Sequence, residues 1–314
     1  MLDFAECLRY FCIMANKSRV VIVRSKKVLN PGGAVDAEVL SAMVRSALLN
    51  LTGTAAPEKA WGSLFSPRDT VGIKVNAIAG RLLSPTPAWV PVLAQGLRAA
   101  GVEEKRIILW DRSSRELKEA GFPLNWEQGG VRCFGTDAPG VGYDPDLVEN
   151  GSIGGLLSRI LTSLTSAQVN LCLLKDHNLA GLSGSLKNLY GAIHNPNKYH
   201  DGHCNPYIAD LNALPQIREK FRLVLCDALR VQYHGGPAFK SQWVENYRGI
   251  LVSLDPVALD FVGWRLLDQI RKAHGLPSLQ QEDRAPLYIL TAGDATHRLG
   301  RCKESDIEVV ELSA

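Results

Sequence analysis

The sequence predicts an α/β fold in which a mostly parallel, Rossmann-like sheet is flanked by helices. Short apolar runs typical of buried strands alternate with segments of helical periodicity, and this alternation is typical of βαβ units. Several runs lack polar alternation, as strands covered on both faces do. A region rich in Gly, Pro and Asp at 125–160 interrupts the pattern. We therefore expect a domain over residues 19–314 that is either continuous or divided near 125–160 into two α/β lobes with a crevice between them.

The first half of the chain supplies three predicted strands. Arg19–Arg24 is a β-branched run, and Asp36 can cap a helix that extends to Asn50 and buries one apolar face. Residues 53–69 have the composition of a loop. The further elements predicted here are a strand over Val71–Asn76, a helix over Pro85–Ala100, a strand over Arg106–Trp110 that ends at Asp111, and a helix over Ser113–Ala120.

The second half begins with the apolar run Leu171–Leu174, which predicts a buried strand. Lys175, Asp176 and His177 follow it, at the carboxyl end where open α/β sheets bind ligands. The remaining predicted elements are a helix that starts after the Gly181–Gly184 turn with Ser183 or Ser185 as N-cap, strands over Arg222–Cys226 and Gly249–Leu254, a helix from Asp255 to about Ala273, and strands over Leu287–Thr291 and Ile307–Leu312.

Composition and charge argue against two classes of protein. The formal net charge of +3 is small for 314 residues, and no basic stripe is interleaved with aromatics, so we expect no nucleic-acid partner. No apolar run approaches the ~20 residues that a membrane span requires. Residues 1–18 have apolar residues at helical spacing without the features of a secretory signal. They predict an amphipathic helix that contacts either the core or a second subunit, and the second case would give a homo-oligomer.

The cysteines predict a reducing environment. The seven cysteines are odd in number and scattered, and no C-x-x-C pair is present, so the chain has no ferredoxin-type iron–sulfur motif. Cys172 and Cys226 each lie inside an apolar run, where a thiol acts as a small core hydrophobe. We therefore expect a cytoplasmic protein.

Three residues are predicted to carry the chemistry: His177, Lys187 and Lys74. His177 follows a strand end and suits proton transfer, or else bonds the next turn as a structural histidine. Lys187 lies in the first turn of a helix with a glycine-rich entry, where backbone amides favour an anion. Lys74 and Lys175 lie in or beside apolar strands, so each must reach the ligand, be paired, or extend to the surface.

Further polar residues and glycines are expected to line the ligand site. They are Lys175, Asn76, Asn188, Asp111, Asp227, Gly235 and Gly236. The aspartates follow predicted strands and are candidates for metal, hydroxyl or proton contacts. An Asp in this position can equally cap the next helix, and Asp255 before Pro256 favours that alternative most.

The loop after the predicted Lys187 helix is a candidate metal site. It contains His194, His200, His203 and Cys204, and imidazole and thiolate groups suit transition metals. The spacing is not that of a standard zinc motif, and the turn-forming stretch NPNKYHD can also leave these side chains in solvent. A transition metal is thus a candidate cofactor, and the sequence does not identify it.

Six segments of the chain resemble the bacterial and archaeal family called domain of unknown function 362, over nearly its whole length. The segments are Pro67–Asn76, the stretch PAWVPVLAQGLRAAG with RIILWDRS, Leu173–Ile193, Cys226–Pro237, Gly249–Asp260 and the tail ATHRLGRCKESDIEVVEL. The resemblance implies no assigned activity. Some members are described as iron–sulfur proteins because they carry additional cysteine-rich segments, which this sequence does not contain.

A fainter similarity is to the nickel-pincer lactate racemases. In that family a strand-end histidine is followed, after nine residues, by a lysine that holds the cofactor and later by a metal-binding histidine. His177, Lys187 and His203 have comparable spacing. This similarity is an analogy for the segment alone.

Two functional hypotheses follow. The first is an enzyme that binds a small anionic molecule or cofactor and performs metal-assisted acid–base or redox chemistry on a hydroxy- or carboxy-acid, as an isomerase or oxidoreductase would. The second is a non-catalytic ligand-binding or assembly protein. In that case the N-terminal helix and the loops with Trp61, Trp126 and Trp243 contact a partner.

Overall fold

The structure is a computed structural model, and it describes residues 17–127 and 129–314. The amphipathic helix predicted for residues 1–18 falls almost wholly outside the described residues, so its contacts stay a prediction. Within the described part of the chain, no helix has the length and apolar character needed to cross a bilayer.

The described residues form a large sheet with helices on both faces. The strands are β1 (Ser18–Arg24), β2 (Val71–Val75), β3 (Ile107–Asp111), β4 (Arg132–Gly135), β5 (Val148–Asn150), β6 (Ile153–Gly155), β7 (Ala167–His177), β8 (Gly181–Ser183), β9 (Phe221–Gln232), β10 (Val244–Glu245), β11 (Gly249–Ser253) and β12 (Ile307–Ser313). The helices are α1 (Ala37–Thr52), α2 (Pro57–Gly62), α3 (Trp89–Ala99), α4 (Ser114–Glu119), α5 (Ser185–Asn188), α6 (Tyr207–Asn212), α7 (Pro215–Arg218), α8 (Pro256–Ala273) and α9 (Tyr288–Ala292).

The main sheet is mostly parallel, as predicted. Its order is β12-β1-β11-β9-β7-β2-β3-β4, with β8 paired to β7 and β10 paired to β9. Along this order β11 is antiparallel to both of its neighbours, and the remaining pairs are parallel. Strands from before and after the 125–160 region belong to this one sheet, and the crevice between two lobes stays a prediction.

Each face of the sheet has its own apolar core. One core contains the buried sides of α1 and α3, and the other contains those of α5, α6 and α8. Asp36 caps α1 through the backbone amides of Glu38 and Val39, as predicted, and Gly53 ends the helix at a positive φ of 66°. Cys172 and Cys226 are buried opposite each other on β7 and β9, which confirms that both belong to the core.

Four sequence predictions about the elements are corrected. The strand predicted over Leu287–Thr291 is instead the N-cap and most of α9 (Tyr288–Ala292), because a short apolar run does not distinguish a strand from a helix turn. The predicted loop at 53–69 contains α2. The strand predicted to end at Asp227 continues to Gln232, so Asp227 lies inside β9. Because β11 is antiparallel, Asp255 lies at the opposite edge from the carboxyl ends of the parallel strands, where it caps α8.

Candidate functional site

The carboxyl end of β7 extends past its neighbour β2 and carries two of the predicted site residues. The pairing of β2 with β7 ends at Leu171, and β8 then folds back to pair with Lys175 and His177. The Lys175 side chain is 1% exposed, and its Nζ has no hydrogen-bond partner among the described residues. Burial, followed by repulsion from Lys187, lowers the pKa of Lys175 to about 8.

His177 is held as a neutral hydrogen-bond donor. Its Nδ1 accepts the backbone N–H groups of Leu179 and Ala180, both at 3.2 Å, so the ring proton lies on Nε2. Burial and the neighbouring charge of Lys187 lower the pKa of His177 to about 2. The imidazole is therefore uncharged at physiological pH, and Nε2–H is the ring group that remains for a ligand.

Lys187 and His200 form a pair beside these residues. The Lys187 Nζ lies 3.2 Å from His200 Nε2 and 4.4 Å from the ring centroid of Tyr190. His200 Nδ1 lies 3.1 Å from the Pro196 carbonyl oxygen, so Nδ1 carries the proton and Nε2 accepts from the ammonium. Burial lowers the pKa of Lys187 to about 8. The rings of His177 and His200 stack with centroids 6.0 Å apart.

These four residues, Lys175, His177, Lys187 and His200, are called the lysine–histidine cluster. Asp176, although adjacent in sequence, contributes no negative charge to it. Its carboxylate accepts from Arg284 Nη1 at 2.8 Å and from the Gly236 amide at 2.9 Å. The cluster therefore presents positive charge and hydrogen-bond donors without a facing carboxylate among the described residues. This arrangement suits a carboxylate or phosphate ligand.

The N-terminus of α5 is not available to such a ligand. The backbone amides of Ser185 and Leu186 donate to the carboxylate of Asp260, at 2.6 and 2.9 Å. The N-cap is Gly184 rather than Ser183 or Ser185, and a Cβ there would overlap the Asp260 carboxylate. The prediction that these amides hold the ligand anion is therefore wrong. Burial raises the pKa of Asp260 to about 6.

Lys74 belongs to a separate network. Its Nζ lies 2.7 Å from Asp111 Oδ1, 2.7 Å from the Val75 carbonyl and 3.1 Å from Asn188 Oδ1. These three contacts use the three donors of an ammonium. Asn188 also donates to Asn170 and so joins β2, β7 and α5. Burial lowers the pKa of Lys74, and the charge of Asp111 opposes that effect. The structure therefore does not bring the Lys74 ammonium to the lysine–histidine cluster.

Asp227 and the two glycines predicted to bind ligand have structural partners instead. Asp227 accepts from Trp89 Nε1 at 2.7 Å and from the Leu229 amide at 2.9 Å, within the core on the α3 side. A Cβ at Gly236 would overlap the backbone carbonyl of Asp176, so this turn packs closely on the end of β7, and Gly235 precedes it at a positive φ of 73°. The Oδ1 atom of Asn76 is buried without a hydrogen-bond partner in the described residues.

The four predicted metal ligands do not come together. His194 is exposed and contacts the edge of Tyr143, and His203 is exposed at a positive φ of 58°. Cys204 is buried, with Sγ 4.0 Å from the His200 carbonyl, and His200 itself pairs with Lys187. Across residues 17–127 and 129–314, no three His, Cys, Asp or Glu side chains form a group that could hold a metal ion. The prediction of a metal site at these four residues is therefore corrected, because the turns of the loop point them to different surroundings.

Two surface hollows lie away from the cluster. One, of about 650 Å³, lies beside α8 near Trp264 and Leu290, and the other, of about 640 Å³, lies over the β5–β6 hairpin. Neither is lined by a residue of the lysine–histidine cluster. The buried ionisable groups, rather than the surface shape, therefore locate the candidate site.

Two features of the site escaped the sequence analysis. Asp260 lies on the buried face of α8, at a position where the helical periodicity predicts an apolar residue. A charged residue at such a position indicates that its carboxylate accepts hydrogen bonds from buried donors. The ion pairs of Asp176 with Arg271 and Arg284 join positions about a hundred residues apart, and no local pattern indicates them.

Comparison with known proteins gives a family and a distant structural likeness. No curated protein matches the chain. A crystal structure of a Thermotoga maritima protein from a structural genomics consortium is 13% identical with a TM-score of 0.42; the match covers 70% of this chain and 58% of that one, so the chain spans under two thirds of its length. The family model described as domain of unknown function 362 matches residues 71–265, which include the lysine–histidine cluster. The chain belongs to the domain of unknown function 362 family.

Proposed function

We propose that the protein is an enzyme that binds a small anionic molecule at the lysine–histidine cluster and performs acid–base chemistry on a hydroxy- or carboxy-acid. The observation that carries this proposal is the buried Lys175 Nζ, which lacks a hydrogen-bond partner in the described part of the chain. A buried unpaired ammonium is costly, and a second one beside it adds repulsion. The negative charge of a bound carboxylate or phosphate would compensate the positive charges of Lys175 and Lys187.

The residues of the cluster would have distinct roles. Lys175 and Lys187 would bind the anionic group, and the Nε2–H of His177 would donate to an oxygen on which negative charge develops. A lysine with a pKa of about 8 also has a neutral fraction of roughly a tenth at pH 7, which allows it to accept a proton from a substrate carbon or hydroxyl. No step is assigned to a metal, because the described residues offer no group of three ligands.

Binding is tested by thermal shift and calorimetry with malate, lactate, pyruvate and inorganic phosphate as separate probes. We expect wild-type protein to be stabilised by at least one of them, and Lys175→Met and Lys187→Met to lose that effect. The control is Lys118→Met, which removes one positive charge from an exposed position on α4. Equal responses of all three variants would contradict the proposal.

Catalysis is tested separately from binding. Wild-type protein is incubated with each bound acid in D₂O, and exchange of carbon-bound protons is followed by NMR. His177→Ala is expected to keep its fold and lose exchange. Binding without exchange or conversion would favour the non-catalytic alternative, in which an enclosed site retains a ligand. In that alternative the tryptophan-containing loops would contact a partner, and Trp126, which is 47% exposed, is accessible for such a contact, whereas Trp61 is buried.

We also propose a cytoplasmic location. The described cysteines, from Cys133 to Cys302, are free thiols, which supports a reducing environment. Mass spectrometry of the alkylated native protein tests this, since disulfides in protein taken directly from cells would contradict it.

A further inference from the structure

The buried and half-buried lysines of the described residues differ in what surrounds the amine. Lys74 uses its three donors within the protein, and Lys220 donates to the carbonyls of Leu161, Thr162 and Thr165. Lys187 contacts His200. Lys175, by contrast, has no hydrogen-bond partner at Nζ in the described residues. Once deprotonated, its nitrogen lone pair is therefore not engaged by any of these groups.

We propose that Lys175 is a covalent nucleophile that forms an imine with the carbonyl carbon of a 2-oxo acid, while Lys187 binds the carboxylate of that acid. This inference rests on the proposed function, because it uses the same anion-binding cluster. It names a substrate class, the 2-oxo acids, and gives Lys175 a role that anion binding alone does not require.

The protonation state of Lys175 supports this role. With the pKa of Lys175 lowered to about 8 in the ligand-free protein, roughly a tenth of the side chains are neutral at pH 7 when the substrate arrives. An ordinary lysine, with a pKa near 10.5, is neutral in only about 0.03% of molecules, so the reactive amine is roughly 300-fold more abundant here. A second ammonium beside a buried lysine is a known means of activating an amine nucleophile.

The reaction balances without an oxidant or reductant. The neutral Nζ attacks the carbonyl carbon, a C–N bond forms, and the C=O π electrons move to the oxygen, which takes up the proton that the now positively charged nitrogen releases. The resulting carbinolamine loses the hydroxyl group with a proton from nitrogen as one water, which leaves a C=N bond to Lys175. The net change is amine plus ketone to imine plus water.

The neighbouring groups fit the two ends of such a substrate. The Lys187 ammonium provides charge for the carboxylate. The neutral His177 Nε2–H, fixed by the two backbone amides that donate to Nδ1, can donate to the carbonyl oxygen as charge develops on it. The cluster also lies just beneath the surface, since Asn178 and Leu179 are exposed directly after His177 and His200 is half-buried.

The test is reductive trapping. Full-length protein is incubated with pyruvate or glyoxylate and sodium borohydride, and the adduct is located by intact mass and peptide mapping. We expect one adduct per chain at Lys175, none at that position with acetone, and a trapping rate that rises between pH 7 and pH 8.5. Lys187→Met should slow trapping by about tenfold or more, because it removes a charged hydrogen bond to the carboxylate. Lys118→Met should trap at the wild-type rate.

Each outcome decides between the hypotheses. Adducts spread over exposed lysines, or trapping that persists in a folded Lys175→Arg variant, would overturn the imine proposal. Pyruvate binding by calorimetry without an adduct would overturn it as well, while the proposed anion site would stand. Neither binding nor an adduct, with any of the anions tested, would remove both. Circular dichroism of each variant establishes that it is folded.

Discussion

The substitution Lys175→Met is expected to stabilise the ligand-free protein. The pKa of Lys175 falls from 10.5 to about 8 on folding, mainly through burial. One pKa unit corresponds to about 1.4 kcal/mol, so the folded protein carries this charge at a penalty on the order of 3 kcal/mol at pH 7. Methionine keeps an unbranched apolar side chain of similar length and removes the charge. We therefore expect the free energy of unfolding to rise by up to about 3 kcal/mol.

The assay is urea denaturation of wild type, Lys175→Met and Lys118→Met in dilute Tris without added anions. Because the folded pKa lies below the unfolded one, the unfolded chain binds more protons between pH 8 and 10.5, and the wild type should gain stability across that window. Lys175→Met should gain less across the same window, and Lys118→Met should match the wild type. A Lys175→Met variant that is no more stable, or less stable, at pH 7 would refute the view that the ammonium is unpaired.

Three further predictions concern ionisable groups. Asp111→Asn should destabilise the protein by about 3–5 kcal/mol in urea, since it leaves the buried Lys74 ammonium without its carboxylate, and adding Lys74→Met should restore most of the loss; no recovery would contradict the pairing. At pH 8 the binding of a carboxylate should take up as much as about one proton, because Lys175 and Lys187 are each about half protonated and a bound anion raises both pKa values. Calorimetry in Tris and in triethanolamine measures this uptake, because the two buffers release a proton with different enthalpies. Equal observed binding heats in the two buffers would exclude it. Asp210 and Asp294 raise the pKa of His297 above 6.5, so the bonds of His297 to these carboxylates add about 1–2 kcal/mol to the free energy of unfolding below pH 6.5. This contribution is lost as the pH rises through the folded pKa. Urea denaturation at pH 5.5 and 8.5 should show the difference in the wild type but not in His297→Gln.

Local signals in the sequence were sufficient for most of the fold. The periodicity and capping residue of α1 predicted its start and its buried face, and the uninterrupted apolar run before Lys175 predicted β7. Such features act between residues close in sequence, where spacing and composition carry the physical cause. The short run at 287–291 was predicted wrongly because its apolar residues fit a helix turn as well as a strand.

The features that the sequence did not predict depend on contacts between residues that are far apart in the chain. The reversed direction of β11 moves Asp255 to the far edge of the sheet, and nothing in the strand itself indicates its direction. Lys74 and Lys175 looked alike, each beside an apolar run. Their difference depends on Asp111, which lies on the neighbouring strand for Lys74 and has no equivalent beside Lys175 in the described residues. The role of a buried lysine is thus set by its partner more than by its own position.

A carboxylate placed where the ligand is expected should replace the missing partner of Lys175. Ser183 lies directly opposite Lys175 in the antiparallel β7–β8 pair, so the two side chains are on the same face and their Cβ atoms are about 5 Å apart. Ser183→Asp should supply to Lys175 what Asp111 supplies to Lys74. We expect it to melt at a higher temperature than Ser183→Asn in the absence of ligand, to raise the pKa of Lys175, and to abolish both anion-dependent stabilisation and trapping by pyruvate.

Ser183→Asn is the matched control, since it has nearly the same volume without the charge. The added bulk at this buried position should destabilise both variants by a similar amount, so the difference between them isolates the ion pair. Thermal melts at pH 7, with and without the anion that binds the wild type, measure that difference. If Ser183→Asp and Ser183→Asn are equally stable and both still respond to the anion, the positive charge at Lys175 is not what holds the ligand, and the case for an anion site at the end of β7 fails.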